Sequence, residues 1–112
     1  MKQILETPYI KPLLKQDRPI WIMGVHDVLS AKIAEKAGFD AVGVQSLQMG
    51  FVNGQPDTGV IPPTELLDTV RKIRRSISLP IMIDFEQGFG DVYAAVHWLH
   101  EFERAGAAAL HI

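Results

Sequence analysis

The chain contains no cysteine, which excludes disulfides and cysteine-ligated metal sites. It has no apolar run approaching the roughly 18 residues that a membrane-spanning helix needs. Its opening residues, Met1-Lys2-Gln3-Ile4-Leu5-Glu6, form no apolar signal core. A cytoplasmic location without a membrane partner is the default expectation from these absences. There is no strong charge of either sign: a net charge of −2 over 112 residues gives no electrostatic reason to expect nucleic acid. The one basic run, Arg71-Lys72-Ile73-Arg74-Arg75, falls on an amphipathic helical pattern and reads as a solvated face. No internal repeat, low-complexity segment or interdomain linker interrupts the chain. What remains is ordinary globular composition, 47% hydrophobic.

Residues 1–19 are polar, carry Pro8, Pro12 and Pro19, and read as a short helical or irregular lead-in to one domain over 20–112. Residues 20–25, Ile-Trp-Ile-Met-Gly-Val, suit a strand buried on both faces. Asp27 can cap a helix with Leu29, Ile33 and Ala37 at helical spacing, and Gly38 stops it. Ala41-Val42-Gly43-Val44 is a second strand, followed by a long loop from about Gln45 to Ile61. Pro62-Pro63-Thr64-Glu65 opens the next helix, with Leu66, Val70, Ile73 and Ile77 as its apolar stripe. A third strand spans 80–83. Gly88-Phe89-Gly90-Asp91 turns into a third helix with Val92, Val96, Leu99 and Phe102 on one face, and Gly106 ends it. Residues 107–112 begin a fourth strand. The order βαβαβαβ implies a parallel sheet with helices outside it. An open doubly wound sheet and a barrel both satisfy this pattern.

Three loops carry candidate chemistry. After the third strand stand Asp84 and Glu86, in Asp84-Phe85-Glu86-Gln87-Gly88-Phe89-Gly90. Carboxylates at the C-terminal end of a parallel strand are well placed for binding and catalysis, and two of them with waters suit a hard ion such as Mg²⁺. A helix-capping or solvated loop pair is the bland alternative. A dinucleotide loop in this register needs glycine at position 93, where Tyr93 stands. After the second strand, the backbone amides of Gln45-Ser46-Leu47-Gln48 can hold a carboxylate or a developing oxyanion. The third loop, Gly54-Gln55-Pro56-Asp57-Thr58-Gly59, is either a plain turn or a mobile presenter of Asp57. His26 directly follows the first strand and can touch a substrate. His97 and His100 sit on an outer helix, where solvent or packing roles outweigh a shared metal. His111 lies on a strand and can point inward, with a core histidine as the bland alternative.

Together these segments resemble the isocitrate lyase/phosphoenolpyruvate mutase superfamily. Residues 24–32, Gly-Val-His-Asp-Val-Leu-Ser-Ala-Lys, are similar to its G-x-x-D-x-L-S-A-K signature, continued by 35–41, Glu-Lys-Ala-Gly-Phe-Asp-Ala. Residues 54–59 resemble its G-x-P-D-x-G loop. Residues 80–84 with Gly88-Phe89-Gly90 resemble its P-[VI]-x-x-D-x-D-x-G-[YF]-G motif, and 101–106, Glu-Phe-Glu-Arg-Ala-Gly, match the segment before its fourth strand. The resemblance implies the N-terminal part of a (β/α)8 TIM barrel, ending at strand four. It implies a Mg²⁺- or Mn²⁺-dependent enzyme that makes or breaks C–C or P–C bonds in small 2-oxo or 2-hydroxy acids through an enolate, and a homo-oligomeric full-length parent. By the same resemblance Asp84 and Glu86 hold the metal, Gln45, Ser46 and Leu47 bind substrate, and Asp57 is catalytic.

Four positions depart from the family pattern. Gln45-Ser46 stands where Ser-Gly or Thr-Gly is common, Glu86 replaces an aspartate, and Gln87 replaces a small Thr or Asn. A complete barrel of this kind needs about 250 residues. Two other expectations therefore stand beside the enzymatic one: an inactive truncated remnant or partner-binding half-barrel, and a barrel like the related ketopantoate hydroxymethyltransferases.

Overall fold

The computed structural model describes residues 8–112; the part of the lead-in over 1–7 lies outside them. Within the rest of the lead-in, Lys11–Leu14 form one short helix, α1. Four strands follow: β1 (Ile22–Val25), β2 (Ala41–Val44), β3 (Ile81–Asp84) and β4 (Ala109–His111). They pair in parallel, in the order β1-β2-β3-β4. That order decides between the two architectures. A doubly wound sheet reverses its strand order at a switch point, whereas each strand here is laid beside its predecessor, as in a barrel. With right-handed crossovers, the crossover helices fall on one side.

The helices are α2 (Val28–Ala37), α4 (Pro63–Arg74) and α5 (Val92–Arg104), with a shorter α3 (Ser46–Val52) after β2. Asp27 caps α2 as expected: its carboxylate accepts from the Ser30 amide at 2.7 Å, while Ser30 Oγ accepts from the Asp27 amide at 3.2 Å. Gly38 closes the helix in the left-handed conformation, at φ 90°. The stripe of α4 is also as expected, with Leu66, Val70 and Ile73 fully buried and Ile77 nearly so.

Three expectations are corrected. The long loop from Gln45 to Ile61 contains α3. This helix has no side-chain cap and is held instead by burial of Ser46, Met49 and Gly50. The stripe Leu29, Ile33, Ala37 is not the packed face of α2. Leu29 and Ile33 are 67% and 60% exposed, and Ala31 and Ala34 face the core. On α5 only Phe102 of the expected stripe is buried; Val92 and Val96 are 70% and 52% exposed, and Ala95 and Trp98 pack inward instead. Both helices flank an outer strand of the sheet, so each carries a second apolar face turned away from the strands it covers. Strand limits shift slightly as well. β3 extends to include Asp84, and Trp21 lies outside β1 and is largely exposed.

One sheet face carries Val25, Val44, Ile83 and Leu110 in register and packs into the core with α2, α4 and Phe102. The other carries Gly24, Gly43, Met82 and Ala109, and no layer of helices covers it among the described residues. The expectation that β1 is buried on both faces therefore fails for this chain: only Val25 of its residues is buried.

Polar anchors fix the ends of the strands. Arg74 is buried and donates to the carbonyls of Leu79, at 2.9 Å, and Ile77; burial pushes its pKa below the ordinary arginine value. Arg18 donates to both oxygens of Asp40 at 2.9 and 2.6 Å, and the Trp21 amide donates to the same carboxylate at 2.8 Å. The Arg18 hydrogen bonds first, and the Trp21 amide second, bring the Asp40 pKa down to about 2. A carboxyl lowered on folding adds stability above its unfolded value of about 4 and loses it as pH falls to its folded value. Asp40→Asn is therefore expected to be less stable than wild type at neutral pH, with the gap closing between about pH 4 and about pH 2. Denaturant midpoints measured across that range check this; a gap independent of pH counts against it.

Candidate active site

The C-terminal ends of the strands gather the polar residues. Asp84 ends β3 and pairs with His111, and Gln45 directly follows Val44, the partner of Ile83. Asp84 and Gln45 thus stand side by side on the rim, on the face that carries Gly43 and Met82. His26 directly follows Val25, the partner of Val44, and its amide donates to Ser30 Oγ at 3.2 Å. His111 is exposed, not a core histidine, because β4 is an outer strand.

The loop after β3 is set by aromatic packing. Phe85 is 2% exposed and meets Phe89 and Phe102 edge-on, with ring centroids 5.3 and 6.1 Å apart. Its amide donates to the His111 carbonyl at 2.8 Å, and the Gly88 amide closes the turn on the Phe85 carbonyl at 2.8 Å. Between these fixed points Glu86 takes a left-handed backbone, φ 51°, uncommon for any residue but glycine, asparagine or aspartate. The turn points the Glu86 amide at Asp84 Oδ1, 3.1 Å away. It sends the Glu86 carboxylate toward α3, where Oε1 accepts a hydrogen bond from the Ser46 hydroxyl.

Ser46 is 3% exposed at the start of α3. The first α3 amide to bond back is that of Met49, to the Gln45 carbonyl at 3.4 Å. The amides of Ser46, Leu47 and Gln48 precede it and find no backbone carbonyl among the described residues. The Gln45 and Gln48 side chains lie across the two glycines of the sheet. Gln48 Nε2 donates to Gln45 Oε1 at 2.9 Å, Gln45 Nε2 lies 3.6 Å from where a Cβ on Gly43 would be, and a Cβ on Gly24 would collide with the Gln48 carboxamide. Gln48 Oε1 is buried without a partner among the described residues. Nothing in the sequence pattern singles out the Gln48 side chain while 45–61 reads as loop; the helical turn that sets it three residues past Gln45 does.

Asp57 sits in an exposed stretch over 51–60. This loop passes close to Glu86: a Cβ on Gly59 would lie 3.7 Å from Glu86 Oε2. The structure therefore brings Asp84, Glu86 and Ser46 together and carries the Asp57 loop past them. Among the described residues it assembles no cluster of three or more His, Asp or Glu side chains able to hold a metal.

A parallel, sequentially wound sheet with two carboxylates and a helix start at its C-terminal rim has the layout of part of a (β/α) barrel. The chain belongs to the phosphoenolpyruvate phosphomutase family, whose model matches residues 10–112, within the isocitrate lyase/phosphoenolpyruvate mutase superfamily. It is 32% identical over 102 residues to 2-methylisocitrate lyase of Halalkalibacterium halodurans, covering 91% of this chain and 34% of that protein. Phosphoenolpyruvate phosphomutase from Streptomyces platensis subsp. rosaceus matches with a TM-score of 0.86 at 30% identity, over 90% of this chain and 35% of that one. Phosphonopyruvate hydrolase in complex with oxalate and Mg²⁺ matches with a TM-score of 0.80 at 29% identity, over 83% of this chain and 33% of that one. The chain thus spans about a third of the length of these relatives. Relatives at this level are named lyases, decarboxylases and mutases.

Proposed function

We propose that this chain forms one wall of the active site of a divalent-metal-dependent lyase or phosphonomutase. It acts on small 2-oxo or 2-hydroxy acids through an enolate, in a homo-oligomeric cytoplasmic enzyme. The observation that carries this reading is the placement of two carboxylates at the sheet's C-terminal rim, Asp84 accepting from the Glu86 amide and Glu86 accepting from Ser46 at the start of α3. The donor set fits a hard cation: two carboxylates, no sulfur and no imidazole among them. Asp84 and Glu86 would hold Mg²⁺ or Mn²⁺, completed by waters, substrate and ligands from elsewhere in the enzyme. The ion, when bound, supplies positive charge to a developing enolate oxygen.

The other roles belong to the chain's own groups. The amides of Ser46 and Leu47 donate to a substrate carboxylate or to the oxyanion. The Gln45 carboxamide lines the floor beside them. Asp57, on the loop beside Glu86, approaches the reacting carbon.

Calorimetric titration with Mn²⁺ tests the reading at its base. Wild type is expected to bind weakly and Asp84→Ala not at all, since removing one of two carboxylates takes away half of the chain's ligand charge. Identical isotherms for the two proteins remove the metal assignment.

A further inference from the structure

We propose that Ser46 is a positioning residue for Glu86: its hydroxyl fixes the direction of the Glu86 carboxylate and thereby sets how well the Asp84–Glu86 pair binds a divalent cation. This rests on the metal reading above and adds to it a residue from a different segment, 40 positions away in the chain.

Glutamate is one methylene longer than aspartate and has one more torsion to fix. A side chain of that length at a loop tip loses rotamer freedom when it is ordered, so a cation alone must meet that cost unless the protein has already met it. Here two constraints act before any cation arrives. The left-handed backbone at Glu86 sets the direction in which the side chain departs. The buried Ser46 hydroxyl occupies Oε1. Gly59 leaves room beside Oε2, since even a Cβ there would lie 3.7 Å away. Ser46 is held in turn by its place in the first turn of α3, so it cannot follow a wandering carboxylate.

One oxygen of Glu86 is therefore oriented by the protein, and the other remains for a cation or a water on it. Partners that orient a metal ligand in this way commonly change affinity by about 10–100-fold when removed. A glycine at position 46 has no hydroxyl to offer, and an aspartate at 86 is shorter by one methylene. The longer acid and the serine compensate each other across the rim.

Two measurements on the purified chain test this. The first is metal-free: denaturant midpoints for wild type, Ser46→Ala, Glu86→Ala and the double variant, all at one protein concentration. A held pair gives a double-variant shift smaller than the sum of the two single shifts; additive shifts overturn the clamp. The second is Mn²⁺ affinity, expected to fall about tenfold in Ser46→Ala and to recover in Ser46→Thr, which keeps the hydroxyl. Equal affinity in wild type and Ser46→Ala overturns the proposed effect on the cation. If wild type binds no Mn²⁺, the metal reading of Asp84 and Glu86 falls and the effect on the cation falls with it. The denaturant cycle then still decides whether Ser46 holds Glu86.

Discussion

Purified residues 1–112 are expected to show no lyase or phosphonomutase turnover. A longer protein containing them is expected to release pyruvate or a related oxo-acid in the presence of Mg²⁺, and to stop when the metal is chelated. An enolate is stabilised by charge and hydrogen-bond donors placed around a pocket from which water is excluded. The described residues place theirs on one side only: Asp84 and Glu86 after β3, and the Ser46 and Leu47 amides at the start of α3. The sheet face that carries Gly24, Gly43 and Met82, which a barrel interior would enclose, has no layer of helices over it among the described residues, only the Gln45 and Gln48 side chains at its rim. Losing a single oxyanion donor costs about 10²–10³ in rate, and here a whole side is open to water. Product assays with 2-hydroxy-acid, oxo-acid and phosphonate substrates check both halves. Chelator-sensitive turnover by the 112-residue chain overturns the open-wall argument. Silence from the longer protein on every substrate indicates a relative that has kept the scaffold and lost the chemistry.

The same open geometry is expected to make the isolated chain self-associate. Among the described residues β1 and β4 each have one unpaired edge, because the sheet does not close. An unpaired strand edge is a template for another chain. The helices beside those edges add apolar surface: Leu29 and Ile33 on α2, and Val92 and Val96 on α5, are all more than half exposed. On the β4 side, Leu99, Glu103 and residues 107–110 line a shallow groove of about 190 Å³. Apolar surface flanking a free edge favours association over solvation. Sedimentation velocity over a range of concentrations is expected to show a rising mean mass or precipitation. A monomer at every concentration, melting in one cooperative transition, contradicts this.

The strands and most helix limits are legible in the sequence because each has a local cause. Runs such as Ala41–Val44 leave no polar residue to face water. Asp27 announces a cap by standing just ahead of a helical apolar pattern, and Gly38 and Gly106 stand where only glycine easily takes the left-handed backbone, at φ 90° and 99°. Asp84 and Glu86 are legible as a pair for the same reason: they follow a strand that periodicity alone identifies. The rest depends on partners remote in sequence. α3 has no cap and carries Gly50 in its middle, so its stability comes from burial, which spacing does not reveal. On α2 and α5 two apolar faces compete, and the sequence does not tell which of them meets the sheet. The meeting of Ser46 with Glu86 is set by how β2 and β3 lie together and by the turn at 85–88, not by any pattern within either segment.

The left-handed turn at Glu86 has a bearing on how this site persists through mutation. That backbone costs a non-glycine residue about 1–2 kcal/mol, and asparagine or glycine would relieve much of it. Drift toward greater stability therefore runs against the carboxylate at this position, while drift that retains the acid leaves the fold less stable than it need be. Under the metal role proposed for Glu86, stability and chemistry are opposed at a single residue, and a lineage released from the need for one is free to recover the other.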